Sequence, residues 1–214
     1  MPRADGTPSP VLLVDDHEAV RAGLGALLRE ELASPELIAV GGVGAALEAA
    51  ERDRPELAIV DYRLPDGDGL SLCLRLKSAP PAPAVLIYSA FADGQLAVLA
   101  LIAGADGIVG KGADSGELCE AVRAVARGEA RLPPIRPDVA ETAAARLDAE
   151  DLPILGMLRH RTPPGEIAET LGIDEAWLTA RRWAMLERLS GRPTRRTPPR
   201  TGGVPAPVGP WSGR

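Results

Sequence analysis

The sequence predicts an α/β fold: a doubly wound, five-stranded parallel sheet followed by a small all-helical unit. Three observations predict it. Over the first 128 residues, five short apolar runs alternate with stretches whose apolar residues recur at helix spacing. The runs are evenly apolar, as strands covered on both faces are, and do not alternate as half-exposed strands do. The connections are short, and right-handed crossovers then place helices on both faces of one parallel sheet.

Each element has its own signal. Val11–Val14 is the first strand, and Asp15, Asp16 and His17 follow it. From Glu18, the spacing of Val20, Leu24, Leu27 and Leu28 predicts a helix that runs towards Ser34 and Pro35. Ile38–Val43 is the second strand and Ala45–Arg52 a short helix, closed by Pro55. Leu57–Val60 is the third strand and ends at Asp61. Gly69–Ser78 is helical up to the proline-rich turn ending at Pro83. Ala84–Tyr88, Gly94–Ile102, Gly107–Gly110 and Ser115–Arg127 complete the alternation, with Leu118, Val122 and Val125 on the inner side of the last helix.

Beyond residue 128 the pattern changes. Residues 129–146, with Pro133, Pro134 and Pro137 ahead of an alanine run, read as a linker passing into helix. Residues 147–190 read as a compact helical unit. Residues 1–10 and 191–214, rich in proline, glycine and arginine, are expected to be disordered.

Composition sets bounds on function. Apolar residues make up 45% of the chain and aromatics only 3%, so the core is built from Leu, Val, Ile and Ala. No apolar run approaches the roughly 18 residues a membrane helix needs, and the N-terminus does not resemble a signal peptide, so a cytoplasmic protein is expected. Cys73 and Cys119 fall in helical patterns and are too few for a disulfide framework or a four-cysteine zinc site. The net charge of −6 hides an asymmetry: residues 1–140 are acidic, and from Arg188 onward there are arginines and no acid. An acidic first part does not suit a phosphate backbone, whereas a weakly basic second part can.

The chemistry gathers at one sheet edge. If the strands run parallel, Asp15 and Asp16, Asp61, Ser89 and Lys111 all lie at carboxyl ends, where α/β sheets collect ligands. Carboxylates brought together there need a cation, and Mg²⁺ held by Asp15, Asp16 and Asp61 is the natural one. Asp61 could then attack a phosphoryl group, with Lys111 offsetting charge on its oxygens and Ser89 donating a hydrogen bond. Taken singly, each acid has a plain alternative as a helix cap or turn residue, and Lys111 as a surface charge.

Asp61, Pro65, Asp68 and Gly69 form an Asp-x-x-x-Pro-x-x-Asp-Gly pattern. With the acid pair Asp15 and Asp16, the hydroxyl Ser89 and Lys111, residues 10–128 resemble the flavodoxin-like receiver domain of bacterial two-component response regulators. Residues 147–190 resemble a divergent LuxR-type helix-turn-helix output domain. The resemblance implies that Asp61 is the phosphoacceptor, that Asp15, Asp16 and Asp61 bind Mg²⁺, and that Ser89 and Lys111 read the phosphoryl group. It implies a sensor histidine kinase as donor, a homodimer, and transcriptional control through DNA. It implies no enzyme activity beyond self-phosphorylation and slow autodephosphorylation. Ile108 stands where the family carries an aromatic switch residue, so no ring can rotate there. Arg63 and Phe91 occupy positions that influence hydrolysis in this family, and their bulk predicts a long-lived phosphoryl group.

In the output unit, Gly172 gives the turn, and the following helix would be the reader of the major groove. Its inner side is expected to hold Leu178, Arg182, Met185, Leu186 and Leu189; its outer side Trp177, Ala180, Arg181, Trp183, Ala184, Glu187 and Arg188. Trp177, Thr179 and Arg181 stand where the family commonly has threonine, lysine and histidine. A face formed by Trp177, Thr179, Arg181, Arg182, Trp183 and Arg188 is therefore read two ways: as a DNA-binding face, or as a protein-interaction surface in a degenerate helix-turn-helix. The two tryptophans also fit packing against the receiver or within their own small core.

Overall fold

The structure, a computed structural model, describes residues 10–31 and 36–191. The expected disorder of residues 1–9 and 192–214 lies outside the described residues. In chain order the elements are β1 (Val11–Val14), α1 (Glu18–Glu31), β2 (Leu37–Val40), α2 (Val43–Asp53), β3 (Leu57–Asp61), β4 (Arg63–Leu64), β5 (Gly67–Asp68) and α3 (Gly69–Lys77). There follow β6 (Ala84–Ser89), α4 (Gly94–Ala103), β7 (Gly107–Gly110), α5 (Ser115–Ala126), α6 (Pro137–Ala144), α7 (Asp151–Arg159), α8 (Pro164–Leu171) and α9 (Glu175–Ser190).

The five longer strands form one parallel sheet in the order β2-β1-β3-β6-β7. Its neighbours run β1 to β2 in one direction and β1 to β3 in the other, so the order reverses between β1 and β3. Such a switch point opens a crevice at the carboxyl ends of the strands. Register places Val14 beside Val60, so the residues after them, Asp15 and Asp61, flank that crevice.

Each face of the sheet has its own apolar cluster. Leu13, Leu24, Leu28, Ile59, Leu118, Val122 and Val125 fill the face under α1 and α5. The other cluster holds Val14, Val60, Leu72, Ile87, Ile102 and Ile108 and continues without a break into Ile154, Ile167, Leu178 and Met185 of the C-terminal helices. The bridge is α4, which is buried from Leu96 through Ala103. A helix apolar on every side must be covered on every side, and α9 covers the flank of α4 that the sheet and α3 leave open.

Aspartates start four helices: Asp68, Asp93, Asp114 and Asp174 each accept a backbone N–H from the first turn of α3, α4, α5 and α9. Such caps satisfy donors that the helix cannot.

Beyond shifts of one residue at several element ends, two stretches depart from the sequence expectation. The second strand ends at Val40, and Val43 opens α2 because Asp66, in the β4–β5 turn, accepts from the N–H groups of Val43 and Gly44 at 2.8 and 2.9 Å. The stretch read as a linker is stitched down: Ile108 N–H donates to Arg131 O at 3.0 Å and Arg131 N–H to Asp106 O at 2.7 Å, extending the sheet beside β7. Within the same stretch, α6 buries Ala140 and Ala143.

Candidate functional site

The edge residues are delivered by strand ends. Asp61 is the last residue of β3 and Ser89 the last of β6; Asp15 and Asp16 follow β1 and Lys111 follows β7. The Asp61 motif is legible in its geometry. Gly69 N–H donates to Tyr62 O at 2.9 Å, folding the first turn of α3 back onto the end of β3. A Cβ on Gly69 would collide with the main-chain carbonyl of Asp61, so only glycine permits this approach. Asp68 caps α3 through Ser71 N–H and also accepts from Ser71 Oγ, at 2.8 and 2.7 Å.

Lys111 joins the acids. Its ammonium donates to Asp15 Oδ2 at 2.6 Å and Asp61 Oδ2 at 2.8 Å. Asp15 and Asp61 are 2% and 5% exposed, so two carboxylates are held nearly out of water beside one cation. Burial draws the Lys111 ammonium down, but its hydrogen bonds to Asp15 and Asp61, with their charges, outweigh it and leave the group above its ordinary value. Asp15 Oδ1 accepts from His17 N–H at 2.8 Å, and Asp61 Oδ1 from Arg63 N–H at 3.3 Å.

Asp16 lies nearer the surface and pairs with the ring of His17, Nδ1 to Oδ1 at 2.7 Å. Donor atoms of Asp15, Asp16, His17 and Asp61 all lie within 4.8 Å of one another, a spacing from which a divalent cation could be held. His17 in this group was not anticipated from the sequence; its place directly after the acid pair was the available signal.

Ser89 is also buried, but it is turned to its own loop. Its Oγ donates to Phe91 O at 3.0 Å and accepts from Phe91 N–H at 3.2 Å. The backbone closes the edge through Lys111 N–H to Ser89 O at 2.7 Å. Both bulky neighbours point outward: Arg63 is exposed, and Phe91 is 65% exposed. Ile108 lies buried on the α4 side of the sheet.

The six residues read as a DNA or partner face divide differently. Arg182 is a correction: it is 3% exposed and belongs with the inward set Leu178, Met185, Leu186 and Leu189. Its Nε donates to Ile102 O at 2.8 Å, in the last turn of α4. The opposite side of α9 is not free either; Trp177, Thr179, Arg181 and Trp183 are half-buried, and Arg188 alone of the six is exposed. Arg181 donates to Asp151 and Asp148, and Arg188 pairs with both acids as well. Trp177 lies against Arg181 and Trp183 against Arg75 of α3, with 5.6 and 5.8 Å from guanidinium carbon to ring centroid. The helix is enclosed by α7 and α8 on one side and by the sheet domain on the other. Among the described residues, no helix is long and apolar enough to cross a membrane.

A doubly wound parallel sheet with buried aspartates at its switch point, bridged by a lysine from the last strand, defines a receiver-type α/β domain. Residues 11–123 match the response regulator receiver domain, and the chain belongs to that family. It is 43% identical over 125 residues to the DNA-binding transcriptional activator DevR/DosR of Mycobacterium tuberculosis, a match spanning 57% of this chain and 56% of that protein. It is 31% identical over 178 residues to the methanol utilization control regulatory protein MoxX of Paracoccus denitrificans, spanning 77% and 78% of the two chains. Among solved structures, a LuxR family DNA-binding response regulator from Silicibacter pomeroyi aligns with a TM-score of 0.51 at 34% identity, over 58% of this chain and 97% of that one.

Proposed function

We propose that this response regulator takes a phosphoryl group on Asp61 from a sensor histidine kinase and uses it to free α9 for control of transcription. One observation carries the reading: Lys111 bridges Asp15 and Asp61 in a nearly dry crevice at the switch point. Buried acids of one sign with a single flexible cation form a site prepared to receive an anion and a second cation.

The donor set suits Mg²⁺, with Asp15, Asp16 and Asp61 as the residues to hold it. When bound, the metal offsets negative charge on the entering phosphoryl oxygens. A carboxylate oxygen of Asp61 attacks phosphorus, the bond from phosphorus to the donor's imidazole nitrogen breaks, and the electron pair leaves with the imidazole. Lys111 then exchanges the lost charge of Asp61 for phosphoryl oxygens, and Ser89 turns from Phe91 to donate to one of them. Hydrolysis by water returns the carboxylate. This self-directed cycle is the extent of the chemistry.

For output, DNA is the first reading, supported by the relatives named as transcriptional regulators. In the structure, Arg181 and Arg188 are paired with Asp151 at the start of α7 and with Asp148 before it, and Arg182 is buried against α4, so α9 as docked presents no basic face to a phosphate backbone. Phosphorylation would undock it and favour a homodimer. A second reading, a protein partner on the Trp177 and Trp183 side, is supported by the contact of Trp183 with Arg75, in which the ring already lies against a side chain of the sheet domain.

Intact-mass analysis with acetyl phosphate and Mg²⁺, wild type against Asp61→Ala, tests the input; addition of one phosphoryl to wild type alone is expected. Duplex shifts and sedimentation of the phosphorylated protein test the output. Sequence-selective binding that appears only on phosphorylation supports DNA, and its absence beside a partner lost in Trp183→Ala supports the second reading. The phosphoryl group is expected to outlast minutes in a Phos-tag decay, given Arg63 and Phe91 beside Asp61 and Ser89; a half-life of seconds overturns that.

A further inference from the structure

Lys111 has a third contact besides its two carboxylates. Its ammonium lies 5.5 Å from the ring centroid of Tyr88. Tyr88 sits opposite Asp61 in the β3–β6 register and opposite Val109 in the β6–β7 register. Its ring packs on the cluster of Leu118 and Val122 under α5, the opposite side of the sheet from Ile108. The aromatic ring at this site is therefore on the strand next to β7 and on the other face.

The loop around Lys111 gives the side chain little restraint of its own. Gly110 and Gly112 flank it, and a Cβ on Gly112 would meet nothing within 4 Å. Four methylenes on such a backbone leave many rotamers open, and fixing them has an entropic cost. A ring face attracts an ammonium without competing for its hydrogen bonds, so all three donors remain for carboxylate or phosphoryl oxygens. Burial pushes the Tyr88 phenol upward, which keeps it neutral, so the ring adds no charge to the site.

We infer that Tyr88 is a positioning residue for Lys111: its ring holds the ammonium over the Asp61 crevice and registers, on the α5 side of the sheet, where that ammonium goes when Asp61 is phosphorylated. The inference rests on the reading of Asp61 as phosphoacceptor. As Lys111 follows the new oxygens, its distance from the ring changes, and the ring's packing on the α5 cluster responds.

Two measurements on the full chain decide it. The first is the rate of phosphorylation by acetyl phosphate at saturating Mg²⁺, read by intact mass. Tyr88→Leu is expected to slow it about two- to fivefold, the scale of one partly exposed cation–π contact, while Tyr88→Phe, which keeps the ring face, stays within about twofold of wild type. The second is the NMR shift of the Lys111 ε-protons, which the ring moves upfield in wild type and Tyr88→Phe but not in Tyr88→Leu; phosphorylation or beryllofluoride is expected to change it. A Tyr88→Leu protein phosphorylated as fast as wild type, or a Phe variant as slow as the Leu one, overturns the proposal and leaves Asp61 standing. Failure of the wild type to take a phosphoryl group at Asp61 overturns the reading beneath it instead.

Discussion

Arg182 on α9 donates from Nε to the carbonyl oxygen of Ile102, 2.8 Å away in the last turn of α4. The last carbonyls of a helix lack intrahelical partners and carry the negative end of its dipole, so a buried guanidinium is well placed there. The neighbouring cap residue, Gly104, has φ +80°, and a Cβ on it would come within 2.6 Å of Arg182 Nη2. Among the described residues no acid pairs with Arg182, and burial holds the group below the ordinary arginine range. Arg182 therefore ties the output helix to the sheet domain at some cost to itself.

Arg182→Ala removes that tie, leaves Ile102 O without its donor and opens space under α9. A hydrogen bond made by a charged group contributes about 1.5–3 kcal/mol, and the relief of desolvation returns part of it. The variant is expected to unfold at lower denaturant concentration and to show red-shifted tryptophan emission, because Trp183 loses its cover. An unchanged emission spectrum would show that Arg182 does not hold α9 down.

Gly69→Ala tests the turn that sets Asp61. The added methyl meets the main chain of Asp61, which cannot swing aside as a flexible side chain can. The end of β3 or the start of α3 must shift, and a displaced nucleophile loses rate steeply. Phosphorylation by acetyl phosphate is expected to fall at least about tenfold in a protein that keeps its far-ultraviolet circular dichroism. Full activity in the Ala variant would mean that the approach of α3 to Asp61 has no bearing on the site.

Lys111 gives a pH dependence of definite sign. Its pKa in the folded protein is raised above the ordinary 10.5, so the stability it contributes is fully present below that value and lost as pH rises through the folded one. Lys111→Met leaves Asp15 and Asp61 without their cation and is expected to destabilise by about 1–2 kcal/mol at neutral pH, discounted for the partial exposure of the lysine. The gap between variant and wild type should close above pH 10.5, and Mg²⁺ should stabilise the variant more than the wild type. Urea midpoints with and without Mg²⁺ across that range check both statements.

The sheet and its reactive edge were legible because their signals are local: evenly apolar runs, the Asp61–Gly69 motif, and charged residues one step past strand ends. What was not legible depends on partners far along the chain. Val43 reads as strand by its own chemistry, and only Asp66, 23 residues on, makes it the first residue of a helix. The edge pairing of Arg131 uses its backbone, which carries no mark in the sequence. The docking of α9 did leave a trace. Leu96–Ala103 is apolar on all sides, and a sheet covers only one side of a helix, so the stretch already called for a second cover. The wheel of α9 correctly turned Arg182 inward; the partner it finds there, 80 residues away, could not be read from the wheel.

Asp148 and Asp151 share the same arginines of α9 but should differ sharply in consequence. Asp151 is fully buried and accepts from Arg181 and Arg188, as well as from the N–H of Asp148 at 3.1 Å, so it fixes the entry to α7 and the pitch of α9 together. Asp148 is half-exposed at the rim; hydrogen bonds from Arg188 and Arg181 hold its carboxyl below the ordinary range, so what it contributes is present above the ordinary carboxylate pKa of 3.8 and is lost as pH falls through its lower, folded value. Water can replace Asp148 as a partner, but nothing can replace Asp151 inside the unit. Asp151→Asn leaves Arg181 and Arg188 only their partners at the rim, with a neutral amide in the buried place, and is expected to cost about 3 kcal/mol or more, whereas Asp148→Asn should lower the neutral-pH unfolding midpoint only slightly. Equal midpoints for the two variants would show that burial does not set the strength of this clamp.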